Sequence, residues 1–108
     1  MKPTNEKGLV GRIVAAITRR YPHAWIIKTH GGPRQVAGLP DLFVCVDGQF
    51  IGLEVKHQKP GESDAHARGR ATRQQLEQIR RIEAAGGTAA VVLTVEEALE
   101  TIYRAILH

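Results

Sequence analysis

The sequence feature that most limits the fold is the dipeptide Asp47-Gly48, which separates two stretches of alternating apolar residues. Aspartate followed by glycine favours a two-residue hairpin turn, because both positions tolerate a positive φ angle. Such a turn sets the strand register by counting outward from it. The predicted pairs are Val46 with Gln49, Val44 with Ile51 and Leu42 with Leu53. These apolar positions, together with Val55, lie on one face of the hairpin, which we expect to pack on the core.

The other face of this hairpin is charged at the end away from the turn. The same register sets Asp41 directly opposite Glu54, with their Cβ atoms about 5 Å apart, and Lys56 follows Glu54 on the same face. Like charges facing each other destabilise a sheet, whereas Mg²⁺ is held by one or two carboxylates with water and phosphate oxygens. Two interpretations follow: a metal site beside a lysine, or a bulge that breaks the register and turns both acids to solvent.

The remainder of the chain alternates between helical and strand patterns. Apolar residues three and four apart predict a first helix over about residues 5–20, capped by Thr4 or Asn5. Further strands are predicted at 24–30, 39–46, 49–57 and 88–94, and further helices at about 72–85 and 95–107. The polar segment 58–69 is predicted to be a mobile loop. The order α-β-β-β-α-β-α predicts an α/β fold in which helices flank a mixed central sheet.

Composition excludes several classes of protein. The chain has 108 residues, of which 43% are hydrophobic and 24% charged, so we expect one globular domain over residues 1–108 rather than a disordered chain. No apolar run approaches the ~20 residues of a membrane-spanning helix, and the N-terminus lacks the apolar core of a signal peptide. One cysteine, Cys45, allows no intrachain disulfide, which favours a cytoplasmic location. The net charge of +4 suits a polyanionic partner without requiring one.

Two segments of the sequence resemble the signature of the PD-(D/E)XK nuclease superfamily. They are Gly38-Leu39-Pro40-Asp41-Leu42 and, after the hairpin, Glu54-Val55-Lys56. The chain is most similar to one branch, the stand-alone VRR-Nuc domains of phages and bacteria. The resemblance extends to Lys28-Thr29-His30-Gly31-Gly32, Thr72, Gln75, Ala85-Gly86-Gly87 and Val95-Glu96-Glu97-Ala98. The tripeptide that names the branch is not obvious, because Ala90-Val91-Val92 occupies its place. The resemblance implies a restriction-endonuclease-like core.

The resemblance also implies a role for each matching residue. Asp41 and Glu54 would bind Mg²⁺ or Mn²⁺, with help from the backbone carbonyl of Val55. Lys56 would orient or activate the attacking water and stabilise charge on the phosphate. Gln75 would lie at the rim of the site and support a metal-bound water or the backbone, although its residue type alone would suit an exposed helical position.

Glu6 and several basic residues are further candidates. Glu6 matches an acidic position of the family and could assist the metal without binding it directly, although it could also serve only as a favourable charge in the first turn of a helix. Basic side chains on segments flanking the site would suit a DNA backbone, or would be solvated surface. These side chains are Lys28, His30, Arg34, Lys59, Arg68, Arg70 and Arg73.

The resemblance finally implies an activity and an assembly. It predicts a Mg²⁺-dependent endodeoxyribonuclease without an organic cofactor that cleaves branched or Holliday-junction DNA. A nicking or flap nuclease and a catalytically silent DNA-binding subunit are the alternatives. Stand-alone members of this branch resemble dimeric resolvases, so we expect a homodimer, because two-fold symmetry supplies the two related cuts that a junction needs. Ile102, Tyr103 and Ile106 of the last helix form a candidate interface, although they would also suit the core.

Overall fold

The computed structural model describes residues 5–29 and 36–107. Its elements are α1 (Glu6–Arg20), β1 (Trp25–Lys28), β2 (Leu42–Val46), β3 (Gln49–Val55), α2 (Asp64–Gly69), α3 (Arg73–Ala84), β4 (Thr88–Val92) and α4 (Val95–Ile106). The strands form one sheet in the order β1-β2-β3-β4. The pairs β1–β2 and β2–β3 are antiparallel, and β3–β4 is parallel. The predicted α/β fold with a mixed sheet is confirmed, with one short helix, α2, added to the predicted order.

The central hairpin has the register that its turn predicts. Asp47 and Gly48 have φ angles of 51° and 77°, as a two-residue turn of this kind requires. Leu42 pairs with Leu53, and the pairing continues without a bulge to Val46 and Gln49. The interpretation in which a bulge turns the two acids to solvent is therefore wrong.

One face of the sheet is covered by α1 and α4. The predicted apolar positions of the hairpin are all buried, and they pack with buried residues of both helices. These helical residues are Leu9, Ile13 and Ile17 from α1, and Ala98, Ile102 and Ala105 from α4. Asn5 and Thr94 cap the two helices by accepting hydrogen bonds from backbone N–H groups of the first turn. Because Ile102 is buried and Ile106 packs against the core, Tyr103 is the exposed member of the predicted interface.

The other face of the sheet is covered in part. Helix α3 packs over β3 and β4. All of its residues are at least partly exposed. The predicted apolar stripe on this helix therefore covers the sheet but remains partly accessible to water. Glycines allow the close approach, since a Cβ at Gly52 or Gly87 would lie 3.0 or 2.9 Å from a methyl carbon of Ile82. Over β1, Trp25 and Ile27 remain 52% and 42% exposed.

Segment 58–69 is not the mobile loop that its glycine, proline and charges predict. A turn over 59–62 leads into α2, which Ser63 caps by accepting the His66 N–H at 3.1 Å. Ala67 is fully buried and anchors this short helix. The strands are also shorter than predicted: β1 ends at Lys28, β2 begins at Leu42 and β3 ends at Val55. Within 5–29 and 36–107, no helix has the length and apolar character needed to cross a membrane.

Candidate active site

Asp41 and Glu54 lie side by side at the open end of the hairpin. Asp41 immediately precedes β2 and occupies the register position after the Leu42–Leu53 pair. Its Oδ2 accepts a hydrogen bond from the Val55 N–H at 2.7 Å. Its backbone carbonyl accepts the Thr29 N–H at 2.9 Å. Asp41 is therefore bonded to the strands on both sides, and its carboxylate faces β3 as the sequence predicts.

Glu54 is a buried carboxylate with one satisfied oxygen and one open oxygen. Its residue exposure is 2%. Oε2 accepts a hydrogen bond from Gln75 Nε2 at 2.9 Å and lies 3.4 Å from Lys56 Nζ. Oε1 is buried and has no hydrogen-bond partner among the residues that the structure describes. A buried acceptor without a partner costs free energy, and a cation bound at this oxygen would offset that cost.

Burial raises the pKa values of both carboxyl groups. Burial raises the pKa of Glu54 to about 8; the charge of Asp41 adds to the shift and Lys56 opposes it. Burial also raises the pKa of Asp41, against the hydrogen bond from Val55. Without a bound cation, Glu54 therefore holds a proton over much of the neutral range. A divalent cation would replace that proton and remove the repulsion between the two acids.

The donor set fits a hard divalent cation. Two carboxylates with an open oxygen and a neighbouring lysine are typical of Mg²⁺ or Mn²⁺ sites that act on phosphates. Within the described ranges, no group of three or more His, Cys, Asp or Glu side chains could hold a metal. A cation at Asp41 and Glu54 would therefore complete its coordination with a backbone carbonyl, water or phosphate oxygens. The predicted use of the Val55 carbonyl remains a prediction.

Gln75 is oriented by the N-terminus of α3. Its Oε1 accepts the backbone N–H of Thr72 at 2.8 Å. The backbone N–H of Gln75 donates to Thr72 Oγ1 at 3.1 Å, and the two bonds form a capping box. Because the amide oxygen is occupied, the amide nitrogen is directed at Glu54. Gln75 is thus more than an exposed helical residue. Thr-x-x-Gln is the sequence signal for this arrangement.

Gly38 brings the segment before Asp41 against the same helical turn. A Cβ at Gly38 would lie 2.4 Å from the backbone carbonyl of Gln74 and 2.8 Å from the nitrogen of Gln75. The φ angle of Gly38 is +84°, which also favours glycine. The Gly-Leu-Pro-Asp segment therefore requires glycine here, because α3 passes too close for a side chain.

Glu6 lies near the site at the start of α1. Its Oε1 accepts the His57 N–H at 3.4 Å and lies 3.4 Å from Nη1 of Arg70. Its charge contributes to the raised pKa of Asp41. Glu6 therefore lies in the first turn of a helix, and its charge acts on Asp41. Its predicted assistance to the metal stays a prediction.

The candidate DNA-binding residues fall into three groups. Lys28, Lys59 and Arg73 are exposed. Arg68 and Arg70 instead bind within the molecule: Arg68 donates to the Val91 carbonyl at 2.9 Å and pairs with Glu97, while Arg70 pairs with Glu62. His30 and Arg34 lie outside the described residues, as does the predicted end of the first strand.

The ion pair between Glu62 and Arg70 is absent from the sequence-based prediction. The Glu62 side chain is 6% exposed and its Oε2 lies 3.0 Å from Arg70 Nε. Hydrogen bonds from Arg70 and from the Lys59 N–H lower the pKa of Glu62 to about 2. The sequence signal near this pair is Ser63-Asp64, which predicts the start of a helix and so an ordered segment around Glu62.

The paired acids lie at the open end of the central hairpin, within an α/β core that has a mixed sheet. Two solved structures share this fold. One, described as a VRR_NUC domain protein, superposes with a TM-score of 0.67 at 20% identity over 99% of this chain and 92% of that chain. Another, described as a VRR_NUC domain, has a TM-score of 0.55 at 24% identity over 86% of this chain and 92% of that chain. The predicted VRR-Nuc fold is confirmed.

Neither a family model nor a curated protein matches the sequence.

Proposed function

We propose that this protein is a nuclease, specifically a Mg²⁺- or Mn²⁺-dependent DNA endonuclease. The observation that carries the proposal is the buried Oε1 of Glu54, which has no partner in the described part of the chain and lies beside Asp41. A fold has nothing to gain from an unsatisfied, desolvated carboxylate next to a second acid. The VRR_NUC fold supports the same function.

The chain's own residues would divide the work as follows. Asp41 and Glu54 would hold the cation, which when bound supplies Lewis-acid stabilisation of the phosphate and a water of lowered pKa. Lys56, with its Nζ 3.4 Å from Glu54 Oε2, would orient the attacking water and stabilise negative charge on the scissile phosphate. Gln75 would keep Glu54 Oε2 in place, so that Oε1 faces the cation.

Branched or Holliday-junction DNA is the proposed substrate, and a homodimer the proposed assembly. Contacts by exposed basic residues such as Lys28, Lys59 and Arg73 would be made to phosphates, which carry little sequence information. The protein would therefore select its DNA substrate by shape rather than by sequence. Light scattering at micromolar concentration should give twice the monomer mass of 11.9 kDa. A particle of the monomer mass would contradict the dimer and weaken the case for junction cleavage.

The direct test is cleavage of plasmid and four-way-junction DNA with Mg²⁺, Mn²⁺ or EDTA. We expect cleavage with either metal and none with EDTA. Preference for the junction would support the finer proposal, whereas equal nicking of plasmid would favour a nuclease without junction preference. Binding of DNA without cleavage under any of these conditions would indicate a catalytically silent DNA-binding subunit. Activity at full rate in EDTA would overturn the proposed mechanism.

A further inference from the structure

The backbone that carries Lys56 is held on both sides by groups from distant parts of the chain. The Lys56 N–H donates to the Val92 carbonyl at 3.0 Å, which continues the sheet one residue beyond β3. At the next residue, the His57 N–H donates to Glu6 Oε1 at 3.4 Å. The His57 carbonyl accepts from Arg70 Nη2 at 2.5 Å. The backbone of His57, the residue after Lys56, is thus held from α1 and from the end of α2.

Arg70 is itself held in one orientation. It is the C-cap residue of α2, and its Nε and Nη2 donate to the two carboxylate oxygens of Glu62 at 3.0 and 3.1 Å. Such a two-pronged pair fixes both the position and the plane of a guanidinium. Glu62 in turn accepts the backbone N–H of Lys59 at 3.0 Å. The chain from 57 to 62 is therefore bonded back onto Arg70.

Every nitrogen of the guanidinium has a partner within the molecule. Nε and Nη2 contact Glu62, Nη2 also contacts the His57 carbonyl, and Nη1 lies 3.4 Å from Glu6. These four contacts use all but one of the five N–H donors of the guanidinium, and most of them hold the segment next to Lys56. The geometry of Arg70 therefore favours a structural role, and its predicted contact with DNA phosphate stays a prediction.

We propose that Arg70, oriented by Glu62, is a positioning residue for Lys56. This inference rests on the proposed nuclease function and deepens it. Arg70 acts through the His57 peptide, so its loss displaces the Lys56 amine relative to Glu54 and leaves the phosphate-binding surface intact. A displacement of about 1 Å at a reacting group can lower a rate by about a hundredfold, which sets the scale of the expected effect.

The test compares three variants under steady-state cleavage with Mn²⁺: Arg70→Lys, Glu62→Gln and, as a control for phosphate contact, Arg73→Gln. We expect Arg70→Lys and Glu62→Gln to lower kcat by about 10- to 100-fold with KM within about twofold of wild type. Lysine keeps the charge but lacks the planar fork. Arg73→Gln should raise KM with little change in kcat, because Arg73 is exposed at the start of α3.

The opposite pattern would overturn the inference. If Arg70 contacts phosphate, Arg70→Lys should retain cleavage near the wild-type rate. Glu62→Gln, which removes a negative charge, should then lower KM and leave kcat unchanged.

A second measurement does not depend on cleavage. Amide hydrogen exchange of Lys56 and His57 in the metal-free protein should be at least about fivefold faster in both variants than in Arg73→Gln, because loss of the Arg70 contact to the His57 carbonyl loosens the segment that carries both N–H groups. Thermal melts would check that each variant is folded. Wild-type exchange rates in folded variants would overturn the positioning role. If exchange is faster in the two variants, as expected, but the wild-type protein cleaves no DNA, the proposed function is overturned and the contact network stands.

Discussion

The two faces of β3 differ in how they are stabilised, although their residues alternate along one strand. On one face, Ile51, Leu53 and Val55 are fully buried in apolar contacts with α1 and α4. On the other, Glu54 and Lys56 are nearly as buried, at 2% and 8% exposure, but their side chains are ionisable. The first face contributes to the stability of the fold by hydrophobic burial. The second opposes it, because burial raises the pKa of Glu54 and one of its oxygens has no partner among the described residues.

This difference shows where the molecule gives up stability. On the charged face, single side chains make the hydrogen bonds: Gln75 donates to Glu54, and Asp41 accepts from the Val55 N–H. The helix above it, α3, has no buried residue in its whole described length. A site of this kind has the properties expected where function, rather than folding, selects the residues. Substitutions on the two faces should therefore have opposite consequences.

The largest effect is expected for cleavage when the charged face is changed. Lys56→Ala should reduce cleavage by at least about 100-fold, because the group that orients water and stabilises the phosphate is lost. Asp41→Ala and Glu54→Ala should abolish it, and Gln75→Ala should be milder than any of the three. DNA binding of Lys56→Ala, measured by gel shift in EDTA, should largely survive. A Lys56→Ala protein that cleaves at the wild-type rate would show that the charged face is not the site.

The apolar face should show the reverse behaviour. Leu53→Ala should lower the free energy of unfolding by about 2–5 kcal/mol, because it removes a fully buried side chain and leaves a cavity. Cleavage by the fraction that remains folded should persist. Denaturant titration measures the loss, with Ile27→Ala as the control at a position that is 42% exposed. Equal losses at the two positions would contradict the assignment of the core.

The pH dependence of stability should originate on the charged face. The pKa of Glu54 is raised from its ordinary value of 4.5 to about 8 by burial and by Asp41. The folded state therefore binds this proton more tightly than the unfolded chain does. The metal-free protein should lose stability as the pH rises from about 4.5 through 8.

The matched variant for this prediction is Glu54→Gln, which should remove most of the loss. Thermal melts in EDTA across this pH range measure it. With several millimolar Mn²⁺, wild type should instead gain stability as the pH rises, because metal and proton compete for the same carboxylates. An identical pH profile for both proteins in EDTA would assign the dependence to other groups.

The smallest change in stability is expected for Asp41→Asn. The amide oxygen can still accept the Val55 N–H that Asp41 binds at 2.7 Å, while one of the two facing charges disappears. Above about pH 8, where Glu54 is ionised, the metal-free variant should be more stable than wild type by about 1 kcal/mol or less. It should cleave no DNA and gain little stability from Mn²⁺. A lower melting temperature than wild type at this pH would mean that Asp41 serves mainly as a structural acceptor.

Much of the fold and part of the site could be predicted from sequence because they depend on local rules. The register of the hairpin follows from a two-residue turn that requires positive φ angles and from an alternation of period two. The same counting sets Asp41 opposite Glu54. The starts of α1 and α4 follow from capping residues, Asn5 and Thr94, that satisfy the N–H groups of the first turn.

Tertiary structure decided the features that join distant positions. The Gln75–Glu54 hydrogen bond spans 21 residues, and the Arg70–Glu6 contact spans 64. No period or spacing in the chain indicates such contacts. Segment 58–69 has the composition of a loop, yet it is ordered because Arg70 and Glu62 bond it to α1 and to the end of β3. The pKa of Glu54 likewise depends on burial under α3, because desolvation is a property of the packed molecule and not of any local sequence.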